Sequence, residues 1–246
     1  MMGAPLEEDW LFRRTGIGPE ELDFLGQVPL FAGLTRAQLA LLMSDASVRR
    51  YGGGTTLFYQ EEAAKSLFVI FEGWVKVFRQ TPGGREIVIA VLTRGEPFGE
   101  TTIFDPEASP LGAFAVTDAR LLVVPGERFI AHIRDNSDLA LRLLAAMSAH
   151  QHRLVQQVEQ LTVRSTSERL AGFLCRLCPE TTGAAEIDLP FDKSLIASRL
   201  GMQPESLSRA LARLRAHGVA ARGSAIMIAD VAALLRFSEG DVGKGA

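Results

Sequence analysis

Cysteine is scarce in this chain, with two residues in 246, and tryptophan and tyrosine are as rare. So few thiols exclude a disulfide-stapled secreted scaffold. Cys175 and Cys178 also fall short of the four ligands that an iron–sulfur cluster requires. No stretch approaches the ~18 consecutive apolar residues of a membrane span. The first fourteen residues carry Glu7, Glu8 and Asp9 and lack the apolar run of a secretory signal. Missing too are H-E-x-x-H metal spacing, a phosphate-binding P-loop and any nucleophile–base pairing. A cytoplasmic, non-enzymatic chain with no membrane partner is the expectation, and its length suits roughly two domains.

What is present changes grammar along the chain. Residues 1–22 read as a polar, mobile leader. Helical spacing follows (Leu34, Leu39, Leu41, Leu42), with Thr35 as N-cap and Gln38 in the capping-box position. From Val48 the pattern becomes short β-type runs: Thr56–Tyr59, Ser66–Phe71, Trp74–Gln80, Glu86–Leu92, Gly112–Val116 and Ala119–Pro125. Glycine-containing turns separate them, as in a sandwich or barrel. Residues 23–135 are thus expected to form one β-rich domain.

Between Ser137 and Arg164 glycine and proline are absent. A continuous helix there would run about 42 Å. Met147, Leu154 and Leu161 recur every seventh residue, the period of a coiled-coil seam. The partner positions of that heptad read Leu143, His150 and Gln157, so half of the expected seam is polar. Residues 136–165 are therefore expected to pair two copies of the chain.

The remaining segment, 166–246, is helical and compact. Ser165-Thr166-Ser167 forms a hinge and N-cap, and Leu170, Leu174 and Leu177 a core stripe. Ile187–Phe191 is a short strand, and Asp192 caps a helix that runs to Leu200. Gly201 ends that helix and Pro204 opens the next, which stops at Gly218. Two helices about a tight glycine turn are a helix-turn-helix, and Val219–Arg222 with Ala225–Ile228 form a wing behind it.

The net charge of −3 hides a local imbalance. Lys193, Arg199, Arg209, Arg213, Arg215 and Arg222 face only Glu205 within thirty residues, a footprint for polyanions. Glu205, Ser208, Arg209 and Ala212 share one helix face. Arginine suits guanine O6 and N7, glutamate accepts from cytosine N4, and serine adapts. These are the expected base readers, although Glu205 and Arg209 also have the spacing of a surface ion pair. Lys193, Arg199, Ser206, Arg213 and Arg215 are expected on the DNA backbone.

Residues 24–235 resemble the CRP/FNR family of transcription regulators, and Glu205-Ser206-Leu207-Ser208-Arg209 matches the Glu-x-x-Ser-Arg motif of its FNR branch. The resemblance implies an α+β chain: a cyclic-nucleotide-binding-like β-roll (a double-stranded jelly-roll), a long dimerisation helix, and a C-terminal winged helix-turn-helix. It also implies a homodimer, half-sites of the TTGA type, a TTGA-N6-TCAA palindrome and RNA polymerase as partner.

In that family the β-roll holds an effector, and Phe98-Gly99-Glu100 resembles the opening of its phosphate-binding cassette. The arginine and hydroxyl residue that grip a cyclic phosphate are replaced by Leu111 and Gly112. The adenine-contacting pair on the long helix is replaced by Leu154 and Val155. A buried phosphate left without a guanidinium would cost several kcal/mol, so the effector is expected not to be cyclic AMP. The chain looks closest to the dissimilative nitrate respiration regulators, in which haem and nitric oxide are implicated. Haem needs an axial ligand, and the histidines are His132, His150, His152 and His217. His150 falls on the seam and His132 just before it, positions where histidine is ordinarily packed or solvent-facing. Cys175-Arg176-Leu177-Cys178 reads as a pair of core thiols on a helix, with no cluster and no metal.

Overall fold

The computed structural model describes residues 4–62, 65–81, 83–100, 103, 110–163, 165–190 and 193–240, without the side chains of 4–8, 150 and 152–163. The chain divides into two units, residues 1–154 and 155–246, so the boundary falls inside the long helix.

Where it is described, the stretch expected to be a mobile leader is helical. Helices α1 (Ala4–Thr15) and α2 (Pro19–Gln27) occupy that stretch, and Leu11, Ile17, Leu22 and Leu25 are at most 2% exposed. The sequence hid them because the buried residues are shared between two short helices, and neither builds a long period. Each is locally specified nonetheless. Gly18 N–H donates to Glu21 Oε2 at 2.7 Å, and Pro19 occupies the first turn, where its missing N–H costs nothing. Helix α3 (Arg36–Leu42) starts at Thr35 with the expected capping box to Gln38. Leu39 and Leu42 are buried there, whereas Leu41 stays 45% exposed.

Strands β1 (Ser47–Tyr51), β2 (Thr56–Phe58), β3 (Ser66–Glu72), β4 (Val75–Gln80), β5 (Glu86–Leu92), β6 (Pro97–Phe98), β7 (Gly112–Ala115) and β8 (Ala119–Pro125) form two four-stranded sheets. Their orders are β1-β8-β3-β6 and β2-β7-β4-β5, the two layers of the expected roll. Successive side chains alternate faces along a strand. Phe68 and Ile70 of β3 therefore join Leu121 and Val123 of β8 between the sheets. Leu67, Val69 and Phe71, with Leu122 and Val124, pack instead under the N-terminal helices. This double burial explains the unbroken apolar run at 67–71. Arg120 fastens the helical layer to β8: it donates to Glu21 and lies 5.1 Å over the Phe71 ring.

Helix α4 (Gly126–Asp135) leads into α5 (Ser137–Val163), close to the boundaries read from the sequence. The seam expectation needs one correction. Leu143 is buried with Leu139 in the core under the N-terminal helices, so it is not available to a partner. Among the described side chains of this helix, the exposed large apolar ones are Leu141, Leu144 and Met147, at 66, 62 and 45%. Leu144, three residues before Met147, shares its exposure, whereas Leu143, four residues before it, does not. The side chains of His150, Leu154, Val155, Gln157 and Leu161 lie outside the described residues.

In the C-terminal unit, α6 (Thr166–Leu177) opens on a Ser165–Glu168 capping box. Strand β9 (Ala185–Asp188) begins two residues before the expected strand. Helices α7 (Lys193–Arg199) and α8 (Pro204–Leu214) follow, then a 3-10 turn, Arg215–His217. The expected cap Asp192 lies outside the described residues. The wing strands β10 (Val219–Arg222) and β11 (Ala225–Ile228) match their expected bounds and complete a sheet of order β10-β11-β9. Helix α9 (Val231–Ser238), capped by Asp230, was not read from the sequence.

Candidate nucleic-acid interface and effector pocket

Helix α8 is two-faced at a period of 3.6. Leu207, Ala210 and Leu214 are at most 1% exposed, while Glu205, Ser208, Arg209, Ala212 and Arg213 lie on the exposed side. Burial of the apolar stripe thus fixes which residues point outward. Ser206 is half-buried at the edge. The turn that presents the helix is tightly held. Met202 N–H donates to Ala197 O at 2.9 Å, and Arg169 Nη1 donates to Leu200 O at 3.1 Å. Gly201 adopts φ +60, which L side chains avoid.

The charged residues of the exposed row are not paired with one another. Among the described residues no ion pair joins Glu205 to Arg209, despite their i,i+4 spacing. Both charges are left for a ligand. Between α8 and the wing lies a concavity of about 500 Å³, lined by Lys193, Ser208, Leu211, Ala212, Arg215, Val219, Ala221 and Gly223. Lys193 and Arg215 thus meet Ser208 at one hollow. Arg199 is the exception among the expected backbone contacts. It is half-buried, with its guanidinium 5.5 Å over the Phe173 ring inside the unit. A basic, two-walled surface beside a helix carrying acceptors and donors suits the major groove and its flanking phosphates.

The residues expected around an effector lie in the roll. Phe98 is 4% exposed and stacks on Phe68, with centroids 4.8 Å apart and planes 9° apart, because the two are paired in register. Phe58 extends the stack. Gly99, at φ +83, brings its backbone so close to β3 that a Cβ would fall 2.7 Å from Ser66 O. Glu100 is half-buried beside it. Leu111, where the family resemblance leads one to expect an arginine, packs against the inter-sheet cluster of Phe68 and Phe98. Gly112 is covered by the Phe78 ring; a Cβ on it would stand 2.8 Å from Phe78 Cζ. Neither side chain carries a donor for a phosphate. Residues 101–102 and 104–109 of the cassette lie outside the described residues.

The histidines with described side chains are engaged within the protein. His132 Nε2 lies 3.2 Å from Asp45 Oδ2 and 3.3 Å from Ser44 Oγ. Both partners meet the same nitrogen, so Ser44, His132 and Asp45 do not form a nucleophile relay, which needs opposite ring nitrogens. Burial alone would raise the Asp45 carboxyl, but hydrogen bonds from His132 and Arg14 outweigh it and hold it below its ordinary value. His217 stacks on Phe237, with centroids 3.9 Å apart. Cys175 and Cys178 are half-buried free thiols. Burial pushes Cys175 up to about 11 and raises Cys178 as well, so both stay protonated and unreactive near neutrality. No helix among the described residues is long and apolar enough to cross a membrane.

Comparison with known proteins agrees with this architecture. Residues 48–136 match the model of the cyclic nucleotide-binding domain, and residues 168–237 that of the Crp-like helix-turn-helix domain. The cyclic AMP receptor protein of Thermus thermophilus is 30% identical over 207 residues, covering 84% of this chain and 94% of that protein. A Ruegeria pomeroyi protein, named as a candidate cyclic nucleotide binding protein, has a crystal structure that superposes with a TM-score of 0.82. It is 41% identical, covering 91% of this chain and all of that one. DNR from Pseudomonas aeruginosa is 30% identical with a TM-score of 0.54, over 87% of this chain and 96% of its own. With sensor fold, long helix and winged helix-turn-helix matched in one order, the chain belongs to the CRP/FNR family of DNA-binding transcription regulators.

Proposed function

We propose that this regulator acts as a homodimer on TTGA-N6-TCAA palindromes and answers to an effector other than cyclic AMP. The observation that carries the DNA reading is the exposed row Glu205, Ser208 and Arg209, unpaired with one another and flanked by Lys193, Arg213 and Arg215. Arg209 reads the guanine of each half-site, and Glu205 the cytosine opposite. The lysine and arginines around them hold phosphates and set register. Two-fold pairing along α5, through Leu144 and Met147, supplies half-sites about 10 base pairs apart. RNA polymerase remains the partner that the family resemblance implies.

The effector reading rests on Leu111 and on Gly112 beneath the Phe78 ring, where a cyclic phosphate would find no guanidinium and no hydroxyl. Relatives named for cyclic AMP or cyclic nucleotides do not by their names carry that ligand over, because the side chains of Leu111 and Gly112 offer a phosphate nothing. Haem fits His132 poorly, since its Nε2 already meets Asp45 and Ser44. Selection from randomised duplex DNA tests the operator, and recovery of a motif without paired TTGA elements would refute it. Calorimetric titration with cyclic AMP tests the effector; no heat is expected, and a micromolar Kd would overturn that part.

A further inference from the structure

Ser208 is the one base-reading residue whose hydroxyl is already occupied. Its Oγ donates to the carbonyl oxygen of Pro204, one helical turn earlier, at 3.1 Å. A serine hydroxyl has one hydrogen and two lone pairs, so the side of Ser208 facing outward offers lone pairs only. We infer that Ser208 reads DNA strictly as a hydrogen-bond acceptor, and that its target is the N6 amino group of an adenine.

The rest of the helix face argues for the same polarity. At 3.6 residues per turn, Ser208 lies at one edge of the exposed face, Glu205 near its middle, and Arg209 and Arg213 towards the other edge. Ser208 and Glu205 can only accept towards DNA, and the two arginines can only donate. Lys193 and Arg215, donors both, border the hollow that Ser208 lines. In the major groove the amino donors are cytosine N4 and adenine N6, whereas guanine O6 and N7 and thymine O4 accept. Two acceptors followed across the face by donors therefore fit a cytosine–adenine step on one strand, opposite a thymine–guanine step on the other. Within TTGA, Arg209 takes the guanine, Glu205 the cytosine paired with it, and Ser208 the adenine paired with the preceding thymine.

This inference rests on the proposed operator, and its test separates the two. Replacing that adenine by 2-aminopurine in both half-sites keeps pairing with thymine but moves the amino group from the major to the minor groove. Fluorescence anisotropy on the intact protein should show affinity falling about fivefold per half-site, the size of one lost hydrogen bond. Ser208→Ala should bind the natural operator correspondingly more weakly and be indifferent to the replacement. If wild type is indifferent, or if Ser208→Ala loses as much as wild type, the acceptor role is wrong. If instead the natural TTGA duplex is not bound in preference to random DNA, the operator itself is wrong.

Discussion

The ring of Phe78 lies across Gly112, so that a Cβ on residue 112 would stand 2.8 Å from Phe78 Cζ. Overpacking of this kind costs about 1–3 kcal/mol. Gly112→Ser should therefore lower stability by that amount in urea unfolding, and Phe78→Leu in the same chain should recover most of it. Unchanged stability in the single variant would mean that the ring moves aside freely.

Leu143 and Leu144 are neighbours in sequence with opposite fates, one 5% and the other 62% exposed. Leu143→Ala should destabilise the N-terminal unit by about 2–5 kcal/mol, as deletion of a buried leucine does. Leu144→Glu with Met147→Glu should leave the fold intact but yield monomers in analytical ultracentrifugation and abolish operator binding. A persistent dimer would place the seam elsewhere on α5.

Arg209 and Arg213 lie one turn apart on the exposed edge of α8. Arg209→Ala should cost about 1–3 kcal/mol per half-site and flatten discrimination at the guanine. Arg213→Ala should weaken all sequences alike and lower the slope of log K against log salt by about 1. Binding measured across salt concentrations on matched and mismatched duplexes distinguishes them, and identical behaviour of the two variants would contradict the division of roles.

Acid should loosen the N-terminal unit at a specific joint. Burial works to raise the Glu21 carboxyl, but hydrogen bonds from Arg120 and Gly18 outweigh it and hold it below its ordinary 4.5. A carboxylate depressed on folding stabilises the protein above its unfolded pKa, and that contribution fades as pH falls through the folded one. Stability should thus decline below about pH 4.5, and Arg120→Met should remove about 1–3 kcal/mol at pH 7 while flattening the acid limb. An unaltered acid limb in the variant would show that Glu21 does not carry it.

Much of this molecule was legible because its signals are local. Glycine and proline punctuation gave the helix-turn-helix and both wing strands, and the Thr35 and Ser165 caps announced their helices. The recognition face was readable for the same reason: Leu207, Ala210 and Leu214 at helical spacing leave Glu205, Ser208 and Arg209 outside. The N-terminal helices were missed because their apolar residues are few per turn and acquire meaning only against β3 and β8. Helix α9 is short, and its Asp230 cap was overlooked.

By itself, then, the sequence determined the order of the parts, the polarity of α8 and the absence of side-chain phosphate donors at Leu111 and Gly112. Only the tertiary structure decided that Leu143 faces inward and Leu144 outward, since a heptad permits a mate three or four residues away and core packing selects between them. Only it showed Phe78 over Gly112, a contact between strands 34 residues apart whose register depends on the whole sheet. And only it occupied the Ser208 hydroxyl, because which lone pairs or protons a side chain offers depends on the backbone group within its reach.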